Sequence, residues 1–350
     1  MEKILIVGAG LSGLYLANLL QEAGKEVVVL EAADRLGGRI QTIQGVETTP
    51  MELGATWFSD MHPRMLALLA KLNLEKFPQF SAGISLFQTK SFEPPQKFYI
   101  PESEAPSYRI AGGTGALITK LASQLPATVI QLKQRVQEIH ETEKGLEIVT
   151  GTDNRYSADK IILCIPPQLA GVSIQFSPAL PESLATVLSS VQTWMAGAIK
   201  FTIEYAAPFW REAGYSGMLY SHAGIVMEMY DHTNFEATKF GFTGFLSGGA
   251  ANYAAAVRKE LVLQQLVLLL GEKAVDALSY QDKIWIDDLL VSGNPIAQRP
   301  HQNNGHPLLQ EGYMNDRLFF CNTETATAFG GYMEGAVRAV EALFSTYLSH

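Results

Sequence analysis

Cysteine is scarce. The 350 residues contain two, Cys164 and Cys321, each inside an apolar run (IILCIPP and LFFCNTE). Thiols so placed read as buried and free, and a disulfide framework is excluded. Long apolar runs are missing as well: LVLQQLVLLL at 261–270 falls short of the roughly 18 residues that a bilayer span requires. The chain opens Met1-Glu2-Lys3 and passes at once into a strand-like run without the pattern of a signal peptide, so the expectation is a cytoplasmic protein. Positive charge is in deficit, with 26 Lys and Arg against 35 Asp and Glu and a net charge of −9. That balance argues against nucleic acid as a partner and against a polybasic membrane patch, and it suits a cationic substrate.

Other chemistries lack their signatures. The seven histidines, among them His222, His232, His301 and His306, show no metal-ligand spacing with Cys or acids, and are expected at the surface or in loops. Ser12 and Ser247 sit in no nucleophile elbow. Asp287-Asp288 reads as a solvated pair. Arg109 and Arg299 read as surface residues, although either could clamp a substrate carboxylate. No internal repeat or low-complexity tract is present.

What is present is a chain 47% hydrophobic and 17% charged, long enough for about two domains with substantial cores. Ile4-Leu5-Ile6-Val7 is a continuous apolar run of the kind that forms a strand buried on both faces. Gly8-Ala9-Gly10-Leu11-Ser12-Gly13 follows. Leu14, Ala17, Leu20 and Ala23 then recur at helical spacing up to a stop at Gly24, and Val27-Val28-Val29-Leu30 forms a second strand that ends at Glu31. This is a complete βαβ unit.

Each glycine has a physical task in such a unit. Gly8 permits the tight turn, Gly10 lets the backbone approach a pyrophosphate, and Gly13 lets the helix pack closely on the strand. The helix start offers unpaired N–H groups to phosphate, and Glu31 can accept hydrogen bonds from ribose hydroxyls. The plain alternative is a glycine-rich turn without nucleotide. With a nucleotide, the unit fits a nicotinamide dehydrogenase or an FAD flavoprotein. The stretch Glu31-Ala32-Ala33-Asp34-Arg35-Leu36-Gly37-Gly38-Arg39 favours FAD. Arg35 and Arg39 could neutralise a pyrophosphate from the opposite side, and Gly37-Gly38 would let the backbone come close to it.

This stretch resembles the second signature of the FAD-dependent amine oxidase family, which includes monoamine, polyamine and L-amino-acid oxidases. Met51-Glu52-Leu53-Gly54-Ala55-Thr56-Trp57 is similar to the family's next block. Phe320-Cys321-Asn322-Thr323-Glu324-Thr325-Ala326 and Gly330-Gly331-Tyr332-Met333-Glu334-Gly335-Ala336-Val337 are similar to its closing motif. The resemblance covers most of the chain.

It implies an α/β fold: a discontinuous Rossmann-like FAD-binding domain (1–76, 109–170 and 292–350) and a smaller α+β substrate domain (77–108 and 171–291) with a mixed or antiparallel sheet. It implies FAD contacts from Gly8, Gly10, Leu11, Ser12, Gly13, Glu31, Ala32, Arg35, Gly38, Arg39, Gly54, Ala55, Thr56, Trp57, Val136, Glu324, Tyr332 and Met333. The Val136 backbone would meet adenine, and the helix start at Met333 and Glu334 would face the N1–C2=O edge of the flavin. Lys200, in the alternating strand Ala198-Ile199-Lys200-Phe201-Thr202-Ile203-Glu204-Tyr205, matches the family lysine that holds a water at flavin N5. Tyr332 would form one wall of an aromatic cage around the amine.

The sequence departs from the family at two places. Where monoamine oxidases carry the covalent flavin link and the second cage aromatic, this chain has Ser292-Gly293-Asn294-Pro295-Ile296-Ala297-Gln298, with neither cysteine nor aromatic. FAD is therefore expected to be noncovalent, with Trp285, Phe209 or Trp57 as candidates for the missing wall. The segment 77–108 is shorter than in the family and reads as loop or edge strand, which implies an open site or one closed by a partner subunit, as in a homodimer. The implied reaction is oxidation of a small amine to an imine and then a carbonyl, with O2 as acceptor and hydrogen peroxide as product. Two alternatives stay open: a flavin dehydrogenase or desaturase on a non-amine substrate, as in protoporphyrinogen and carotenoid oxidoreductases, and a flavin-binding protein with little turnover.

Overall fold

The structure is a computed structural model that describes residues 2–285 and 301–348. The N-terminal apolar run forms β1 (Lys3–Val7), the glycine turn leads into α1 (Leu11–Glu22), and the second run forms β2 (Glu26–Leu30). α1 stops as its sequence requires. Gly24 takes a left-handed φ of +75°, its N–H bonds the Gln21 carbonyl and the Lys25 N–H bonds that of Leu20, both at 3.0 Å. Those two bonds satisfy helix carbonyls that would otherwise lack donors.

β1 is the centre of an all-parallel five-stranded sheet in the order Leu318–Phe320, Lys160–Leu163, β1, β2, Ile130–Gln131. Alternate residues of β1 serve two different cores. Ile4 and Ile6 pack among α1 and the helices Gly115–Ser123 and Met333–Leu343. Leu5 and Val7 pack with Ile139 and Ile148 of a four-stranded sheet on the opposite face. That second sheet runs Arg155–Ala158, Gly145–Thr150, Val136–Thr142, Gln175–Ser177.

The domain boundary expected at residue 170 lies further along the chain. Strand Gln175–Ser177 pairs with Val136–Thr142, and Leu184 and Leu188 of helix Glu182–Ser190 pack in the core that holds Leu5 and Val7. Residues 171–191 thus pack with the parallel sheet, where their apolar side chains cover one face.

A seven-stranded mixed sheet forms the other half, in the order Ser279–Ile284, Ile199–Tyr205, Phe240–Leu246, Val226–Asp231, Tyr215–Ser221, Gly83–Gln88, Gln96–Ile100. The segment 77–108 is more regular than its composition suggests: Gly83–Gln88 is an inner strand, paired on both sides, and Gln96–Ile100 is the edge. One face of this sheet buries Phe201, Ile203, Trp210 and Phe242 against helix Ala255–Leu270. The other face is turned to the segment of residues 46–52. There the Thr243 hydroxyl donates to the Glu52 carbonyl at 3.0 Å, and Glu204 accepts the N–H groups of Val46 and Glu47 at 2.6 and 3.1 Å. Among the described residues, no helix is long and apolar enough to cross a membrane and no group of three or more His, Cys, Asp and Glu could hold a metal ion.

Candidate active site

A cavity of about 700 Å³ runs from the glycine turn after β1 to the inward face of the seven-stranded sheet. Apart from Glu334, described below, Lys200 and the expected FAD contacts all line it except Gly13 and Glu324. Both exceptions act from behind. A Cβ on Gly13 would stand 1.9 Å from the Gly8 carbonyl oxygen, so that glycine is what lets α1 press onto the turn. Glu324, fully buried, forms a two-pronged ion pair with the Arg39 guanidinium, with a 2.9 Å bond from one nitrogen.

The nucleotide end is built from backbone. α1 starts at Leu11 with no side-chain cap and no acid in its first turn, and Leu11 and Ser12 border the cavity. Its first N–H groups therefore point their partial positive charge at whatever occupies that space. A Cβ on Gly10 would meet no protein atom closer than 3.9 Å, so packing within the chain does not require glycine there. Close approach of a bound group does. Glu31 accepts from the N–H groups of Ala9 (2.7 Å) and Ala33 (2.9 Å), which ties the glycine turn to the end of β2. Arg35 donates to the carbonyls of Gly38 (2.9 Å) and Leu36 (3.2 Å) and so braces the Gly37-Gly38 turn. An uncapped helix start, a glycine without an internal reason and a ribose-type acid together fit the diphosphate and ribose of a dinucleotide such as FAD.

The opposite end is built from side chains. Lys200 projects from strand Ile199–Tyr205 and is 1% exposed. Its Nζ donates to the Gly54 carbonyl at 2.6 Å and to the Thr56 hydroxyl, and stands 4.9 Å from the Trp57 ring centroid and 5.7 Å from that of Phe245. Burial pushes the Lys200 ammonium down to about 7, against the opposing pull of Glu52. Glu52 is itself buried, and burial pushes its carboxyl up, opposed by Lys200 and by bonds from the Thr114 N–H (2.6 Å) and the Thr42 hydroxyl (2.8 Å). Both members of the pair are thus driven toward their neutral forms.

Tyr332 is the residue from which helix Met333–Leu343 starts, and with Met333 it borders the cavity. Glu334 does not face the cavity. Its carboxylate accepts the N–H groups of Arg64 (3.3 Å) and Met65 (2.8 Å) at the start of helix Pro63–Lys71, and the Arg338 Nε at 2.6 Å. It is a cap for a neighbouring helix.

Several expectations need correction. Arg109 is buried, stacked on the Phe77 ring at 4.9 Å and held among the charges of Asp231 and Glu52, with burial lowering it to about 10. His232 is also fully buried. Burial, together with the charges of Arg109 and Lys200, lowers its affinity for a proton, opposed by the Pro50 backbone. Of the candidates for a second aromatic wall, Trp285 is fully buried with its N–H on the Leu53 carbonyl (2.8 Å), and Phe209 belongs to the core of the seven-stranded sheet. Trp57 does line the cavity. The stretch 292–298, Arg299 and Asp287-Asp288 lie outside the described residues.

Three cavity residues escape the sequence reading. Trp194 lies 6.4 Å from the Tyr332 ring at an interplanar angle of 24°, and His301 stacks on both rings at 5.0 and 5.6 Å. Phe245 and Glu228 stand beside Lys200 in the sheet register, Lys200 opposite Phe245 and Phe245 opposite Glu228. Strand pairing brings this row together, and no local motif marks it.

Comparison with known proteins identifies the family. The family model described as flavin containing amine oxidoreductase matches residues 11–97 and 82–341. The chain is 24% identical to human amine oxidase [flavin-containing] B over 97% of its own length and 84% of that protein, and 24% identical to a probable flavin-containing monoamine oxidase A of Dictyostelium discoideum over 97% and 96%. Among solved structures it shares its fold with wild-type putrescine oxidase bound to putrescine (TM-score 0.84, 21% identity, 100% and 99% covered). Another is cyclohexylamine oxidase from Brevibacterium oxydans IH-35A (TM-score 0.83, 20% identity, 99% and 98% covered).

Proposed function

Because the chain belongs to the family of flavin-containing amine oxidoreductases, we propose that its cavity holds FAD noncovalently and that it oxidises an amine to an imine, which water converts to a carbonyl compound. O2 is the proposed acceptor and hydrogen peroxide the second product. The observation that carries this reading is Lys200, a buried lysine pressed toward its neutral form at the end of the cavity opposite the dinucleotide turn. Bound FAD would supply the redox chemistry, accepting the hydride equivalent that leaves the amine α-carbon.

The chain's own residues prepare the amine. An alkylamine arrives as an ammonium and must lose a proton before its α C–H bond can be broken. Neutral Lys200 has two N–H groups, directed to the Gly54 carbonyl and the Thr56 hydroxyl, which leaves its lone pair free to accept that proton directly or through a water. Trp57, Phe245, Trp194 and Tyr332 give this end apolar walls that favour the neutral amine over the ammonium. Noncovalent binding is supported by the cysteine that borders the cavity. The Cys164 thiol is held protonated by burial beside Cys321, a poor state for forming a link.

Anaerobic mixing of the yellow holoprotein with monoamines, polyamines and amino acids tests the reaction. Bleaching of the flavin by at least one amine is expected, and no bleaching by any of them overturns the amine reading. Acid precipitation tests the linkage: flavin is expected in the supernatant, and flavin in the pellet contradicts noncovalent binding.

A further inference from the structure

An amine that arrives as an ammonium gives up one proton per turnover. That proton has to leave an end of the cavity walled by Trp57, Phe245, Trp194 and Tyr332. The seven-stranded sheet carries a row of four residues in register there, on four adjacent strands. Lys200 stands opposite Phe245, Phe245 opposite Glu228, and Glu228 opposite Tyr220. Directly opposed residues share a face of a sheet and strands lie about 4.8 Å apart, so the row spans about 14 Å. It begins at a lysine 1% exposed and ends at a tyrosine 42% exposed.

Hydrogen bonds join the outer members of that row. Tyr230, two residues along strand Val226–Asp231 from Glu228, donates its hydroxyl to the Glu228 carboxylate. The same hydroxyl is bonded to that of Tyr220 at 2.5 Å. The Tyr230 ring packs edge-on against Trp57 at 4.9 Å and against Tyr220 at 6.2 Å, which fixes both phenols. Burial and the bond to Glu228 push the Tyr230 phenol up, so it stays a hydroxyl that can both give and take a proton. At the inner end, Glu228 borders the cavity and attracts the Lys200 ammonium. Glu52, another acid that attracts Lys200, has no such continuation. Its Oε1 accepts the Thr42 hydroxyl at 2.8 Å, and that hydroxyl accepts the Gly115 N–H at 2.7 Å. The chain stops there, because a backbone amide donates a hydrogen bond without passing a proton on.

We propose that Glu228, Tyr230 and Tyr220 form a relay that carries the proton of the amine from Lys200 to solvent. This path rests on the amine-oxidising reading and needs only water besides. Lys200, having taken the proton, passes it across the cavity through a water to the Glu228 carboxylate. The Glu228 carboxyl then gives its proton to the Tyr230 oxygen. In the same step the Tyr230 hydroxyl gives its own proton to Tyr220, and Tyr220 gives one to water. Each hydroxyl keeps the proton it receives, so no phenolate forms. The chain ends as it began, with Tyr230 donating to a carboxylate. One proton leaves for each amine oxidised, and Lys200 returns to its neutral form.

Anaerobic stopped-flow mixing of the holoprotein with a bleaching amine, in weak buffer with a pH-indicator dye, reads flavin reduction and proton release together. Wild type is expected to release one proton per flavin in step with bleaching. In Tyr230→Phe, which keeps the ring against Trp57, release is expected to lag bleaching by about 10-fold or more. In Tyr220→Phe a lag of about 3-fold is expected, since Tyr230 is itself partly exposed. Release in step with bleaching in either variant overturns the path, as does a lag already present in the wild type. If Tyr230→Phe does not fold, the surface variant Tyr220→Phe decides alone. Bleaching with unchanged timing of release removes the path and leaves the amine-oxidising reading standing. If no amine bleaches the flavin, both fall.

Discussion

The two ends of the cavity are made differently. At the nucleotide end the chain presents backbone: an uncapped helix start, the space left at Gly10, and carbonyls and N–H groups fixed by Glu31 and Arg35. At the reactive end it presents side chains, Lys200, Phe245 and Glu228, carried on three strands that are distant in sequence. A backbone surface constrains which residues are tolerated nearby, so its rules fall on contiguous positions. A side-chain surface constrains only what points inward, and it can change one residue at a time. The first end is accordingly expected to fail through folding and cofactor retention, the second through chemistry and substrate choice.

The sharpest way to break that division is Gly13→Leu. With a Cβ already 1.9 Å from the Gly8 oxygen, α1 must move off the turn. We expect a loss of about 3 kcal/mol or more and protein isolated without flavin, read from thermal melting and absorbance. A stable, yellow Gly13→Leu protein would show that close packing of α1 does not hold the site.

Glu334→Ala is smaller. It removes the acceptor for the Arg64 and Met65 N–H groups and the partner of Arg338, at an expected cost of about 2 kcal/mol. Because Glu334 lies behind the cavity, flavin content should stay at the wild-type level. A loss of flavin at unchanged stability would reassign it to the cofactor.

The smallest effect is in the pH dependence of stability. With Lys200 lowered to about 7 in the folded protein, the unfolded chain binds the extra proton between there and the ordinary lysine value of 10.5. Stability therefore rises with pH across that window. Wild type is expected to gain on the order of 1–2 kcal/mol over Lys200→Met between pH 7 and 9 in denaturant titrations. Parallel curves for the two proteins would place the lysine's proton affinity at its ordinary value.

The same division explains what the sequence disclosed. β1, the glycine turn, α1 and β2 are local, and each residue's task there is set by its immediate neighbours. Lys200 drew attention through the resemblance of its strand to that of the family lysine. Glu228 and Trp194 were not, since nothing near either residue marks it, and register alone puts Glu228 two strands from Lys200. Arg109 and His232 looked like surface residues because a single polar residue in a short strand or loop carries no sign of its depth. Burial comes from tertiary packing: Arg109 lies on the Phe77 ring near Asp231 and Glu52, and His232 lies near Arg109 and Lys200. The domain boundary slipped for a related reason: residues 171–191 are amphipathic, and amphipathicity does not say which of two sheets they cover.

The central claim is that the backbone end retains the flavin and Lys200 serves the chemistry. It is tested most directly on purified Lys200→Met protein, by measuring flavin content and the anaerobic bleaching rate with a saturating amine in the same preparation. The account predicts wild-type flavin content and bleaching slowed by about 100-fold, the scale of a lost proton acceptor. Bleaching at the wild-type rate would contradict it, as would loss of the flavin itself.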